Sequence, residues 1–275
     1  MAVATRPTPA QTTALVRDLK GARSIWQREL TRFFRERARA VTSFVQPLLY
    51  LLVFGTGLGA AVRSAAIAGQ DFRVFLLPGV IVMTSLFTSM FAAVSIVWDR
   101  EFGFLKEILV APLGRAAVIA GKAGGGATTS ALQGLAILLF APVVGLSPEP
   151  LRVLAVAPML ILFALSINLL GIALAARVQT MQGFMVIMNF ITLPLFFLSG
   201  AVFPLHTVPY WLRVAAVFDP ATYAVDAIRH TLIPSYPPTE LWSGQPLSTS
   251  VDLAVLVVFG LAMFGLAVRG LNRQP

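Results

Sequence analysis

Across 275 residues the chain has no cysteine, only two histidines, and 12 acidic residues against 21 lysines and arginines. The missing thiols exclude disulfide frameworks, thiolate metal sites and cysteine nucleophiles together. His206 and His230, with no other histidine or cysteine in the chain, are too isolated for a metal site. Charge of either sign is scarce, at 12% of residues, where an ordinary soluble domain carries roughly 25%. What fills the space is apolar: 57% of residues are hydrophobic and the mean hydropathy is +0.81. Such a composition belongs to an integral membrane protein. No polar stretch is long enough to bury a core of its own, which leaves one transmembrane domain as the expected organisation.

A helix needs about 20 apolar residues to cross the hydrocarbon core. The chain offers six such stretches, at about 41–62, 74–98, 123–146, 153–176, 184–203 and 251–268. The expected fold class is therefore all-α integral membrane with six transmembrane helices. Pro47, Pro78, Pro142, Pro158 and Pro194 fall inside them and predict kinks. None of the six has Asp, Glu, Lys, Arg or His in its interior, and Asp252 stands only at the edge of the last. Proton-coupled carriers place ionisable groups at membrane depth, so that route is disfavoured; sodium sites made from carbonyls and hydroxyls stay open. HExxH, GxSxG and paired intramembrane carboxylates are absent from the sequence. The single Gly-Lys pair, Gly121-Lys122, has Ala116 and Ala123 where a phosphate-cradling loop needs glycine and a hydroxyl. The chain is not expected to be an enzyme, and energy for uphill transport must come from a partner.

Positive residues are retained in the cytoplasm. With the N-terminus inside, sixteen lysines and arginines fall on the cytoplasmic side and five on the other, while the acidic residues divide six and six. Both termini are thus expected in the cytoplasm. The net charge of +9 is topological, pointing to the anionic inner leaflet and not to nucleic acid.

Residues 1–16, rich in Ala, Thr and Pro, read as a disordered tail. The apolar run begins too late for a signal peptide, so the first span is expected to be retained. Within 17–40, Leu19, Ala22, Trp26, Leu30 and Phe33 recur at three- and four-residue steps with Arg23, Arg28, Arg32 and Arg35 between them. This stripe predicts an amphipathic helix in the interface plane, with Trp26, Leu30, Arg32 and Phe33 as its anchoring residues. A solvated juxtamembrane helix is the alternative.

The charged insert 99–122 interrupts the apolar run. Read as a helix, Phe102, Leu105 and Leu109 share a stripe with Phe104 and Ile108 beside it, and Glu101, Lys106 and Glu107 lie toward the other side. An amphipathic helix of this kind docks its aromatic face into a groove on another protein, with the charges setting register. The alternative is a helix on the headgroups, against which its mixed charges weigh. Asn168, Asn189, Thr192 and Ser199 are polar groups in the spans that either face a pathway or bond neighbouring helices. Gly55-x-x-x-Gly59 and the 121–126 glycine cluster are candidates for close helix contacts, including one between two copies. Pro209, Trp211, Leu212, Val214, Ala215 and Val217 form an amphipathic piece too short to span.

The run Phe75-Leu76-Leu77-Pro78-Gly79-Val80-Ile81-Val82-Met83, then Trp98-Asp99-Arg100-Glu101-Phe102-Gly103-Phe104-Leu105-Lys106-Glu107 followed by Ala111-Pro112, resembles the permease subunits of ABC-2-type exporters. The likeness is to the daunorubicin-resistance and nodulation-factor-export branch. Met188-Asn189-Phe190, Pro194 to Gly200, Phe203-Pro204-Leu205 and Asp219 to Arg229 agree with it, so the resemblance covers roughly 17–229. It implies six spans preceded by an interfacial helix, in a bacterial cytoplasmic membrane. It also implies a second permease copy or paralogue, and two separate ATPase subunits that carry ATP and Mg, this chain itself binding no cofactor and no metal. Residues 101–111 would be the coupling helix. Residues 204–229 would form short re-entrant helices at the outer face near the dimer seam, with Trp211, Leu212, Asp219, Pro220 and Tyr223 in them. The implied function is export of an amphipathic drug-like or lipid-like substrate. Export of a polysaccharide or glycolipid is the alternative within the class, and an ATP-independent channel the alternative outside it. The Pro- and Ser-rich stretch 234–250 is longer than the family leads one to expect.

Overall fold

A computed structural model describes residues 9–35, 37–61, 71–103, 113–237, 239–242 and 245–272. In chain order the helices are α1 (Pro9–Arg35), α2 (Arg37–Ala61), α3 (Phe72–Ala92), α4 (Val94–Glu101), α5 (Arg115–Ile137), α6 (Pro150–Ala175), α7 (Met181–Leu198), α8 (Tyr210–Val217), α9 (Pro220–Leu232) and α10 (Thr249–Asn272). Two short 3-10 pieces, Leu138–Val144 and Leu205–Thr207, extend α5 and precede α8. Within the 234–250 stretch, Glu240–Trp242 and Gln245–Pro246 pair as a small antiparallel ribbon, β1 and β2.

The starts are set by local chemistry. The Asp71 carboxylate accepts from the Arg73 amide at 2.9 Å at the head of α3. The Thr180 hydroxyl accepts from the Gly183 amide at 3.2 Å at the head of α7. Asp219 accepts from the Ala221 amide at 2.8 Å at the head of α9, where Pro220 takes the first helical position. Gly145, at φ 86°, ends the extension of α5 in a left-handed turn that a side chain would strain.

Among the described residues five stretches are long and apolar enough to cross a membrane: Phe72–Glu101, Arg115–Val144, Pro150–Ala175, Met181–Leu198 and Thr249–Asn272. A sixth, shorter apolar stretch, Phe44–Gly57, lies in α2. The protein is an all-α membrane protein. α3 lies at its centre, with Phe75, Leu77, Ile81, Leu86 and Met90 fully buried. α5 packs against α1, α3 and α6; α6 packs against α10; α9 is inserted among α3, α6 and α10; α2 packs chiefly on α3.

Several expectations are corrected. α1 begins at Pro9, inside the stretch read as a disordered tail. Its Ala22, Ile25 and Trp26 face α5, so the stripe read as lying in the acyl boundary has a protein partner, whereas Leu19 and Phe34 are exposed. The third crossing begins at Arg115 and takes in Lys122, eight residues ahead of the expected start at 123. Hydropathy excludes a lysine from a span because it sees no partner for the charge, and here partners exist. The second crossing is interrupted at Ala93, between α3 and α4, away from its proline. The glycine motifs are taken up within the chain. A Cβ on Gly121 would stand 2.6 Å from the Ala22 carbonyl oxygen, and one on Gly125 2.6 Å from Glu29 Cβ, so α1 and α5 approach at backbone distance. Gly55 and Gly59 face Arg73 and Phe72 at the start of α3.

Candidate functional site

Four consecutive residues at the end of α4, where the insert begins, are each held by a neighbouring element. Arg32 of α1 lies over the Trp98 ring at 4.5 Å. Asp99, buried, accepts from Lys122 Nζ of α5 at 2.5 Å and from Arg28 Nη2 of α1 at 3.1 Å. The Lys122 side chain is 2% exposed, with Ser95 Oγ at 3.2 Å and Glu29 Oε1 at 3.4 Å completing its shell. Paired and hydrogen-bonded, the ammonium can remain buried. Arg100 donates from Nη1 to the Val178 carbonyl at 2.6 Å and from Nη2 to that of Ala175 at 3.1 Å, at the C-terminal end of α6. Glu101 Oε1 accepts from the Met181 amide at 2.8 Å, at the first residue of α7. A cation at a helix C-terminus and an anion at an N-terminus both complement the helix dipole.

Beyond these anchors Phe102 is 71% exposed, and Gly103 turns the chain at φ 80°. Of the expected coupling residues, Glu101 and Phe102 are placed at this stem, with Glu101 turned back onto α7. Phe104, Leu105, Lys106, Glu107, Ile108 and Leu109 lie outside the described residues. Where the chain resumes, the Gly114 amide donates to Asp18 Oδ1 of α1 at 3.0 Å, and Arg115 donates to the Leu271 carbonyl at the end of α10.

Next to this network lies a cavity of about 370 Å³ between α1, α2, α3, α4 and α5. Met83, Phe87, Phe91 and Trp98 supply an apolar wall that follows α3 into α4 for about 20 Å. Thr84, Thr88, Thr129 and Gln133 add polar groups, and Glu29 and Arg32 lie with Trp98 at the insert end. Trp26, Leu30, Arg32 and Phe33 are all partly buried on α1, and the Trp26 indole donates to Thr128 Oγ1 at 3.1 Å. The volume lies in the range of small-molecule sites.

The four polar residues considered for a pathway separate. Asn168 is buried and donates to the Ser89 carbonyl at 2.9 Å; Thr192 and Ser199 are buried and donate to carbonyls of their own helix, Met188 and Phe196. Asn189 is exposed on α7, beside Phe190 at 79%. Of the residues expected in external helices, Trp211 is 68% exposed and Leu212 partly buried on α8. Asp219, Pro220 and Tyr223 are buried at the head of α9, where the Tyr223 hydroxyl donates to the Val217 carbonyl at 2.7 Å. Burial holds the Asp219 carboxyl well above the usual carboxylate range.

Sequence reasoning missed a second buried polar group, on α9. His230 Nδ1 lies 3.2 Å from Asp226 Oδ2 and 3.0 Å from the Asp226 carbonyl, and Asp252 of α10 is fully buried within reach of Asp226. The Asp226 carboxylate, accepting from the His230 ring, raises the His230 pKa against the opposing effect of burial. Arg229 donates to the Gly200 carbonyl at 2.9 Å and lies 4.1 Å over the Phe75 ring; burial lowers its pKa to about 10, leaving it protonated at neutral pH. The signal was the three- and four-residue spacing of Asp226, Arg229 and His230 on one short helix. Among the described residues no group of three or more acidic or histidine side chains could hold a metal ion.

A polytopic all-α bundle, with an amphipathic helix ahead of its spans and a charged insert anchored after the first of the long apolar stretches, is an architecture that suits a membrane transport protein. The chain matches the family model described as ABC-2 type transporter over residues 21–233, and it belongs to that family. It is 31% identical over 191 residues to a putative transport permease, ycf38, of Cyanophora paradoxa, covering 69% of this chain and 66% of that one. It is similar to nodulation protein J of Rhizobium leguminosarum bv. viciae, at 24% over 255 residues (91% and 93% of the two chains). Likewise it is similar to the inner membrane transport permease YadH of Escherichia coli K12, at 28% over 259 residues (90% and 94%). The protein is a multi-pass membrane permease, and permeases of this family work with an ABC ATPase.

Proposed function

We propose that this chain is the transmembrane subunit of an ATP-driven exporter that moves an amphipathic drug-like or lipid-like substrate out of the cytoplasm or the inner leaflet. The observation that carries the reading is the 370 Å³ cavity, apolar along Met83, Phe87 and Phe91 and charged at Glu29 and Arg32, which matches a molecule with an apolar body and a polar end. The excess of positive residues on the side of the N-terminus and the insert supports both termini and the insert inside, and the likeness to the Escherichia coli inner membrane permease supports a bacterial cytoplasmic membrane. In this arrangement two copies of a separate ATPase carry ATP and Mg, a second permease copy or paralogue completes the complex, and Phe102 and the residues that follow dock on the ATPase, while Glu101 is held on α7. ATP-driven closure of the ATPases would push the inserts and reorganise the seam between permeases.

The test is co-purification with a candidate ABC ATPase, followed by ATP hydrolysis and flipping of an acyl-labelled fluorescent phospholipid in proteoliposomes. The intact chain is expected to co-elute and flip the lipid. A Phe102→Ala/Leu105→Ala variant should lose co-elution, and Ala92→Phe, which fills the cavity, should keep co-elution while flipping falls at least fivefold. Lipid movement without any ATPase would return the channel reading to first place.

A further inference from the structure

Successive residues of an α-helix point about 100° apart, so the side chains from Trp98 to Glu101 sweep most of the way round the helix axis. Each direction is occupied by a different part of the bundle: α1 by Trp98 and Asp99, α5 by Asp99, the end of α6 by Arg100, and the start of α7 by Glu101. The second stem repeats the pattern, with Gly114 on Asp18 of α1 and Arg115 on the last turn of α10. The turn between α6 and α7 is held from both sides by two adjacent residues of opposite charge. α2 is placed differently, packing chiefly on α3 and meeting α5 across the cavity.

We propose that the two stems of the insert form a rigid collar that carries its displacement to α1, α5, α6, α7 and α10 as one body. Asp99, Arg100 and Glu101 are the positioning residues, and α2 is the element against which that body moves. This rests on the exporter reading above. Met83, Phe87 and Phe91 of α3, which runs on through Ala93 into α4, line the cavity together with Gln46 and Pro47 of α2, so movement of the body, with α3 in it, relative to α2 changes the width of the chamber. Displacement of the insert then alters the space available to cargo without any insert residue touching it. The charges serve geometry here: each bond is made to a helix end or across a helix contact, where a loss leaves the element in place but no longer fixed to the stem.

The chain has no cysteine, so introduced ones are unique labelling sites. Spin labels at the exposed positions Gln27 and Gln182 report α1 to α7, both within the body; labels at Leu52 and Gln182 report α2 to α7. Distances are measured in nanodiscs with the ABC ATPase that co-elutes with the intact chain, without nucleotide and after trapping with ATP and vanadate. The α1–α7 distance is expected to stay constant on trapping while the α2–α7 distance shifts. Arg100→Gln and Glu101→Ala should broaden the α1–α7 distribution and abolish the shift while the ATPase still co-elutes. Glu101→Gln, which keeps the acceptor oxygen for the Met181 amide, should restore both, a rescue that a loss of general stability would not produce. An unchanged shift in Arg100→Gln and Glu101→Ala with the ATPase bound, or an α1–α7 change as large as the α2–α7 change in the intact chain, overturns the collar alone. An intact chain that binds no ATPase, or that shows no nucleotide-driven change with one bound, overturns the exporter reading and the collar with it.

Discussion

Lys122 keeps its charge about two turns inside α5 because Asp99 and Glu29 reach its ammonium from two other helices. Removing one partner of a buried ion pair costs about 3–5 kcal/mol, since the other charge is left uncompensated. Asp99→Ala is therefore expected to lower the melting temperature of the purified protein more than Lys122→Met, which leaves Asp99 still bound to Arg28. Equal losses would show that the ammonium does not depend on Asp99. His230 offers a pH test. Its folded-state pKa is raised by Asp226, so its contribution to stability is fully present below about pH 6.5 and is lost as pH rises through the higher folded value. The melting-temperature difference between the intact chain and His230→Gln should be largest in mildly acidic buffer and shrink toward alkaline pH. A difference independent of pH would mean that the ring contributes packing only.

At the scale of the element, the contact between α1 and α5 depends on which glycines face it. Gly121 and Gly125 admit the backbone and Cβ atoms of α1, whereas a Cβ on Gly124 would meet Trp26 Cδ1 at an ordinary 3.5 Å. Gly121→Ala should destabilise by about 1–3 kcal/mol through overpacking. Gly124→Ala should be neutral or stabilise by up to about 1 kcal/mol, because alanine loses less backbone freedom in a helix. Thermal unfolding in one detergent compares them, and equal effects would show that α1 does not pack closely on α5. Helix α9 shows what pattern alone leaves out. It is one of the short helices expected between the last two spans, and only its packing shows that Pro220 to Arg229 are all buried, with Asp226 beside His230 and Arg229 over Phe75.

For the whole molecule, the positive-residue count predicts that α1 and the head of α10 lie on opposite sides of the membrane. A single cysteine at Ser248 should react with a membrane-impermeant maleimide on intact cells, and one at Gln27 only after lysis. The reverse pattern would invert the topology and put the insert out of reach of any cytoplasmic ATPase. The membrane class, the apolar stretches and the insert's position were determined by the sequence itself, because hydropathy and charge counts are sums over residues adjacent in the chain. The motifs from Phe75 to Met83 and from Trp98 to Glu107 likewise sufficed for the family resemblance. Only the tertiary structure decided that Lys122 lies inside a span, that Asn168, Thr192 and Ser199 bond within the bundle, and that Asp99, Arg100 and Glu101 hold three different partners. Each of these depends on which helices lie side by side, and that choice is made by packing between segments as much as 156 residues apart, as Arg115 and Leu271 are. No local pattern records such a pairing.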